Sequence, residues 1–230
     1  MARVLVIADN QMPFEHRDYL WFLKSVKLKY KTNLVVHIGD ELDHHCLSDW
    51  DHDPDGFSAG HELKEAKIHL KPYMQAFPEM MICTSNHTVR IYAKAKKAGI
   101  PRAYLKDYKD FLDAPSGWKW ADSWEIDGVK YLHGVQYSGI QGALNACRDA
   151  LKPCVIGHLH AEAGLSFWSN GREVLWGLNV GSGIDADAYA FEYGKVMRKK
   201  PILSCGVVIN GRPYLEFMGL DKNKRWDGKL

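Results

Sequence analysis

The chain lacks the markers of several classes. Its five cysteines, Cys46, Cys83, Cys147, Cys154 and Cys205, are odd in number and scattered, with no Cys-x-x-Cys pair. That usage argues against a disulfide framework and fits reduced thiols. No apolar run approaches the ~20 residues that span a bilayer. The opening run Arg3 to Ala8 is cut off by Asp9, too short for a secretory leader. A cytoplasmic location away from membranes is therefore expected. Charge of one sign is also missing: Lys and Arg number 30, Asp and Glu 28, and the net charge is +2. A polyanion would have to be held by a local patch, not a global field. There is no internal repeat, low-complexity tract or linker rich in Pro, Gly and Ser. The 230 residues then suit one domain over 1–220, with a polar tail at 221–230 expected to be at least partly disordered.

What the chain does have is apolar runs that end in polar residues. Arg3 to Ala8, Leu34 to Ile38 and Met80 to Thr84 read as strands buried on both faces. Between them, Tyr19, Phe22, Leu23 and Val26, and then Leu63, Ala66, Leu70, Tyr73 and Phe77, recur at helical spacing. The second half reads as strands joined by tight turns at Asp127-Gly128, Asn170-Gly171 and Asn210-Gly211, with a helix over 143–151. Together these predict an α/β protein, a four-layer α/β/β/α sandwich of two mixed sheets packed face to face with helices outside.

Each candidate strand closes on a residue that does not belong in a core. Asp9 follows the first and Gly39-Asp40, with Asp43, the second. Ser85-Asn86-His87 follows the third, His133 ends another, and Gly157-His158-Leu159-His160 follows Cys154 to Ile156. Ligands of α/β sheets bind at such strand ends. Carboxylate and imidazole together suit Mn, Fe, Zn or Ni more than Ca or Mg. The donors outnumber the needs of one ion, so two ions sharing a bridging carboxylate are expected.

These five elements, in this order, resemble the calcineurin-like metallophosphoesterase superfamily, in a compact form similar to small bacteriophage-type members. Asn179-Val180-Gly181-Ser182 is similar to the turn that closes that family's core. The resemblance runs from about residue 3 to 182. It implies Asp9, Gln11, Asp40 and His160 at one metal, and Asp40, Asn86, His133 and His158 at the other, with Asp40 as the bridge. It implies His87 as general acid, Asp43 as the residue that orients it, and hydrolysis by a hydroxide held between the ions. Three positions depart from the family pattern. Gln11 stands for the usual His and should weaken the first site and favour Mn over Zn. Ser85 stands for Gly, and Thr88 for an acidic residue, which is expected to alter substrate contacts.

Further features carry a plainer and a sharper reading. His61 and His69 read as a solvated helix face rather than a third metal site, and His44 and His45 lie close enough to the site to touch a phosphate. Arg90 falls one helical turn after His87 and can bind phosphate bidentately. Lys94, Lys96 and Lys97 with Arg90 and Arg102, and Lys195 to Lys200, read either as a soluble surface or as a nucleic-acid track. Trp118, Trp120, Trp124 and Tyr137 read either as packing or as platforms for bases. The expected function is a metal-dependent phosphoesterase, first a phosphodiesterase or nuclease acting on nucleic acid or nucleotides. The alternatives are a phosphomonoesterase and a non-catalytic phosphate-binding scaffold. If phage-encoded, it would work in the host cytoplasm. Oligomeric state is left open.

Overall fold

A computed structural model describes residues 1–49, 56–189 and 200–230. In chain order the elements are β1 (Arg3–Ile7), α1 (Tyr19–Tyr30), β2 (Leu34–His37), α2 (Ala59–Ala76), β3 (Glu79–Cys83), α3 (Asn86–Lys97), α4 (Tyr108–Leu112), β4 (Gly117–Ala121), β5 (Ser123–Ile126) and β6 (Val129–Leu132). They continue with α5 (Gly142–Ala150), β7 (Cys154–Ile156), β8 (Ala163–Ser169), β9 (Val174–Val180), α6 (Ala186–Tyr189), β10 (Ser204–Ile209) and β11 (Arg212–Phe217).

Two mixed sheets result. The first runs β11-β10-β1-β2-β3-β4, with β1 to β4 parallel and β10 antiparallel to β1. The second runs β5-β6-β7-β9-β8. Strand β1 explains the layering. Val4 and Val6 pack between the sheets with Val36, Tyr131, Val155 and Leu178. Leu5 and Ile7 point the opposite way, onto Tyr19, Phe22 and Leu23 of α1 and Leu70 of α2. Alternate side chains of a strand face opposite sides, so a strand covered on both sides is apolar throughout. Burying each such side chain contributes roughly 1.5–3 kcal/mol. On the far face of the second sheet, α5 packs Ala143, Ala146 and Cys147 against Cys154 and Ile156. The layers are helices, sheet, sheet, helix.

One expectation changes, and one open choice is narrowed. The tail at 221–230 folds back against the start of α1. Arg225 donates to Asp18 from Nε at 2.6 Å and Nη2 at 2.5 Å, and Trp226 stands edge-on to Phe22 at 6.0 Å. A salt bridge and an aromatic contact offset the entropy that would otherwise keep a polar tail loose. Trp118 and Trp124 take part in packing. Trp118 is buried and donates from Nε1 to Phe77 O at 2.8 Å, while Trp124 Nε1 donates to Ile82 O at 3.0 Å. Trp118, at 1% exposure, has no free face for stacking a base.

Candidate metal centre

The loops after β1 and β2 are knitted together. Gln11 N donates to Asp40 O at 2.8 Å, Met12 N to Glu41 O at 3.1 Å and Asp43 N to Met12 O at 3.1 Å. The turn into Asp40 needs glycine: Gly39 has φ +108°, and a Cβ there would lie 2.8 Å from His133 Nδ1 and 2.9 Å from Cys83 O. Side chains other than glycine rarely adopt that conformation. His37 fixes the turn from below. It accepts from Gly39 N at 3.2 Å and donates to Asn10 Oδ1 at 3.1 Å. Burial pushes its pKa down to about 4, so it stays neutral.

After β3, Ser85 caps α3 with a reciprocal pair. Ser85 Oγ accepts from Thr88 N at 3.1 Å, and Thr88 Oγ1 accepts from Ser85 N at 3.3 Å. Thr88 is therefore buried in a capping box. It was expected to alter substrate contacts; its hydroxyl is instead engaged with the backbone. The cap places Asn86 and His87 at the first turn, facing Asp40.

After β6, His133 donates Nδ1–H to Ile38 O at 3.1 Å. That bond aims Nε2 at Asn86 Oδ1, 2.9 Å away, and Asp40 Oδ2, 3.4 Å away. After β7, Gly157 passes so close to Asp9 that a Cβ would lie 2.4 Å from its Oδ1. This lets His158 N donate to Asp9 Oδ2 at 2.7 Å. His160 Nε2 lies 3.1 Å from the same oxygen. Asn179 anchors the loop by donating to Leu159 O at 3.3 Å and Glu162 O at 2.7 Å.

Among the described residues, two groups have ligand atoms within 4.8 Å of one another: Asp40, His133 and His158, and Asp9, Asp40 and His160. Asp40 belongs to both. The fit to metal ions can be tested on the orphaned atoms. Asp9 Oδ1 and Gln11 Oε1 are buried with no hydrogen-bond partner among the described residues. Asp9 and Asp40 are 0% and 1% exposed, and buried carboxylates demand a compensating cation. Protons supply part of that compensation here. Burial opposes ionisation of Asp40, but His133 and His87 outweigh it and hold the carboxyl well below the usual range. Burial likewise opposes charge on His133, and Asp40 overcomes it, pushing the pKa up to about 9. His158, lowered by burial and by His133 beside it, is the neutral donor of the group. Gln11 turns Nε2 toward Asp40 Oδ2 at 3.4 Å and His160 Nε2 at 3.2 Å. Rotating the amide would present Oε1 in its place. The donor set of carboxylate, imidazole and amide fits divalent transition metals.

Next to the two groups, His87 is wedged between carboxylates. Its Nε2 lies 3.6 Å from Asp40 Oδ2 and its Nδ1 3.3 Å from Asp43 Oδ1. Burial works against its protonation, but Asp40 and Asp43 prevail and raise its pKa above the ordinary imidazole value. Arg90 pulls the other way. Its Nη2 sits 2.7 Å from His87 Nε2, while its Nη1 donates to Asp43 O at 2.8 Å and His44 O at 3.3 Å.

Of the residues read from the sequence, Asp9, Gln11, Asp40, Asp43, Asn86, His87, Arg90, His133, His158 and His160 thus come together. The His44 ring does not join them. It packs edge-on against Tyr108 and Phe111, and burial lowers its pKa to about 4. It serves through its backbone carbonyl, which corrects its expected contact with phosphate. His61 lies 3.7 Å from Glu65 and His69 2.8 Å from Glu15, in keeping with a paired outer face. His52 and the basic residues 195–199 lie outside the described residues. Glu41 had no signal beyond its place between Asp40 and Asp43. It is buried, accepts from Trp120 Nε1 at 2.9 Å, and burial raises its pKa to about 7.

No protein-family model matches the chain, and no curated protein sequence matches it. Among solved structures, Vps29 from Chaetomium thermophilum is similar over 99% of this chain and 94% of its own, at 12% identity and a TM-score of 0.48. Vacuolar Protein Sorting 29 from Cryptosporidium parvum is similar over 93% and 95%, at 12% identity and a TM-score of 0.42. Likeness of that degree carries no chemistry, which rests on the side chains themselves.

Proposed function

We propose that this protein is a metal-dependent phosphoric ester hydrolase of the calcineurin-like kind, acting first on phosphodiesters of nucleic acid or nucleotides. The observation that supports it most is the sharing of Asp40 between two candidate ligand groups. Asp9, Gln11, Asp40 and His160 would hold one ion, and Asp40, Asn86, His133 and His158 the other. Mn is favoured, with Fe, Zn or Ni also suited. Two bound ions would draw in the phosphate oxygens and lower the pKa of a shared water.

The chain's own residues divide the remaining work. The bond from His133 Nδ1–H to Ile38 O keeps Nε2 turned to the site. His87 gives a proton from Nε2 to the departing oxygen, with Asp43 holding the ring by Nδ1. A guanidinium offers only donors, so Arg90 must leave His87 Nε2 before that proton can be passed. A phosphate oxygen is the partner that draws it away. The compact form resembles small phage-type members, and on that reading the enzyme works in the host cytoplasm. No described helix is long and apolar enough to cross a membrane.

The test is hydrolysis with added Mn of bis(p-nitrophenyl) phosphate and of p-nitrophenyl phosphate, with elemental analysis of the protein. Turnover of the diester and about two ions per chain are expected. Asp40→Asn should lose both ions together with activity. Preference for the monoester would make it a phosphomonoesterase. Gln11 favours a second reading, a phosphate-binding scaffold; near-zero metal and no hydrolysis of either ester would establish it.

A further inference from the structure

Helix α3 begins at the candidate centre and leads away from it. Residues 87, 90, 94 and 97 are spaced three and four apart, so they share one face. His87 and Arg90 stand at its first turn. Beyond them, Lys94 Nζ lies 2.5 Å from Asp49 Oδ1 and Lys97 Nζ 2.9 Å from Asp49 Oδ2. One carboxylate thus sits between two ammonium groups, each oxygen taken by one lysine, as two oxygens of a phosphodiester would be. The Asp49 side chain is 68% exposed and that of Lys97 64%, so water already reaches the pair and an incoming anion can compete. At about 1.5 Å of rise per residue, the cations of 90, 94 and 97 are roughly 5–6 Å apart along the helix and reach about 15 Å from His87 to Lys97. That is room for two or three nucleotides beyond a scissile phosphate. The loop after His133 carries exposed Val135 and Ile140 and no cation from 134 to 141. With a net charge of only +2, this stripe is a local patch of the sort a polyanion requires.

We propose that the Arg90–Lys94–Lys97 face of α3 binds the backbone of a single-stranded nucleic acid, with Asp49 as the internal anion that the strand displaces. The inference rests on the phosphodiesterase reading for its link to catalysis, but binding can be measured apart from it. A single strand suits the stripe because its phosphates can follow one straight helix face. Lysines in a last turn also suit the helix dipole, so a purely structural role is the competing account.

The experiment uses the full chain, a fluorescein-labelled single-stranded 12-mer and bis(p-nitrophenyl) phosphate, which is too short to reach Lys94 from the centre. In the double variant Lys94→Ala/Lys97→Ala, the ratio of kcat/KM for the oligonucleotide to that for the small diester should fall at least about five-fold. The salt slope of oligonucleotide binding, read by fluorescence anisotropy without metal, should flatten by about 1.4, since each phosphate contact of a single strand contributes about 0.7. Asp49→Asn should tighten oligonucleotide binding, because it removes the competing anion. An unchanged ratio and slope, or an equal fall on both substrates with a lower Tm, would overturn the inference. Lysine-dependent binding of the 12-mer without hydrolysis of either ester would support it while sinking the phosphodiesterase reading.

Discussion

Asp43 Oδ1 faces His87 Nδ1 at 3.3 Å, with the two side chains 0% and 7% exposed. Both side chains are buried, and the other ring nitrogen, Nε2, lies 3.6 Å from Asp40 Oδ2. If His87 supplies the proton to the leaving oxygen, its loss should matter most for poor leaving groups. His87→Ala should lower kcat by about 10²–10⁴ on an alkyl phosphodiester, and by less on the p-nitrophenyl ester, with metal content unchanged. Asp43→Asn should give a smaller loss with the same dependence on leaving group. Equal losses on both esters would remove the proton-transfer role.

Gln11 makes the two ligand groups unequal. One has His133 and His158 around Asp40; the other has His160 alone with two carboxylates. The nitrogen-rich group should fill first, and the oxygen-rich group should prefer Mn. Titration calorimetry should resolve a tight and a weak Mn event. Gln11→His should strengthen the weak event and shift its preference toward Zn. Two equal events in the parent protein would contradict this.

Gly157 is needed for space. A Cβ there would meet Ile38 Cγ2 at 2.3 Å and Asp9 Oδ1 at 2.4 Å, and both are buried. Gly157→Ala should cost on the order of 1–3 kcal/mol through overpacking. Because the displaced group is Asp9, metal affinity should fall beyond what the loss of stability explains. Denaturant unfolding and elemental analysis would read the two effects separately.

Asp18 is held below the usual carboxylate range, first by the hydrogen bond from Arg225 and against the opposing effect of burial. A carboxyl lowered in the folded state adds stability above its unfolded pKa, and that contribution is lost as pH falls through the folded value. Asp18→Asn should therefore have a lower Tm than the parent at pH 7. The two should converge as pH drops below the ordinary carboxylate value of 3.8. No gap at pH 7 would show that the tail is anchored by Trp226 packing alone, and a gap that persists at low pH would show that it does not arise from the charge on Asp18.

Much of the candidate centre was legible because Asp9, Asp40, His133 and His158 follow the ends of buried strands. A carboxylate or imidazole placed at such an end has no place inside the core and must serve the strand edge. Gly39-Asp40 also announces a turn that only glycine permits, and Gly157 sits where a Cβ has no room. Other parts were not legible. Trp118 and Trp120 alternate as a strand does, a pattern that fits base platforms as well as packing; the pairing of β4 with β3 turns both rings toward the helices. Thr88 looked like a lost acidic residue, and only the reciprocal bonds with Ser85 show it as a helix cap. The His44 ring was assigned by nearness in sequence; a left-handed backbone, φ 53°, turns it into the aromatic cluster of α4.

Taken alone, the order of residues determined most of the strands, which of them end in metal-type donors and which helices have one apolar side, because these follow from local periodicity and side-chain chemistry. Tertiary structure alone decided that Asp40 is shared by two candidate ligand groups, that Ile38 O orients His133, and that His158 N reaches Asp9. Those relationships join residues up to 149 positions apart, as between Asp9 and His158. They exist only once two sheets stack and bring their strand ends to one edge.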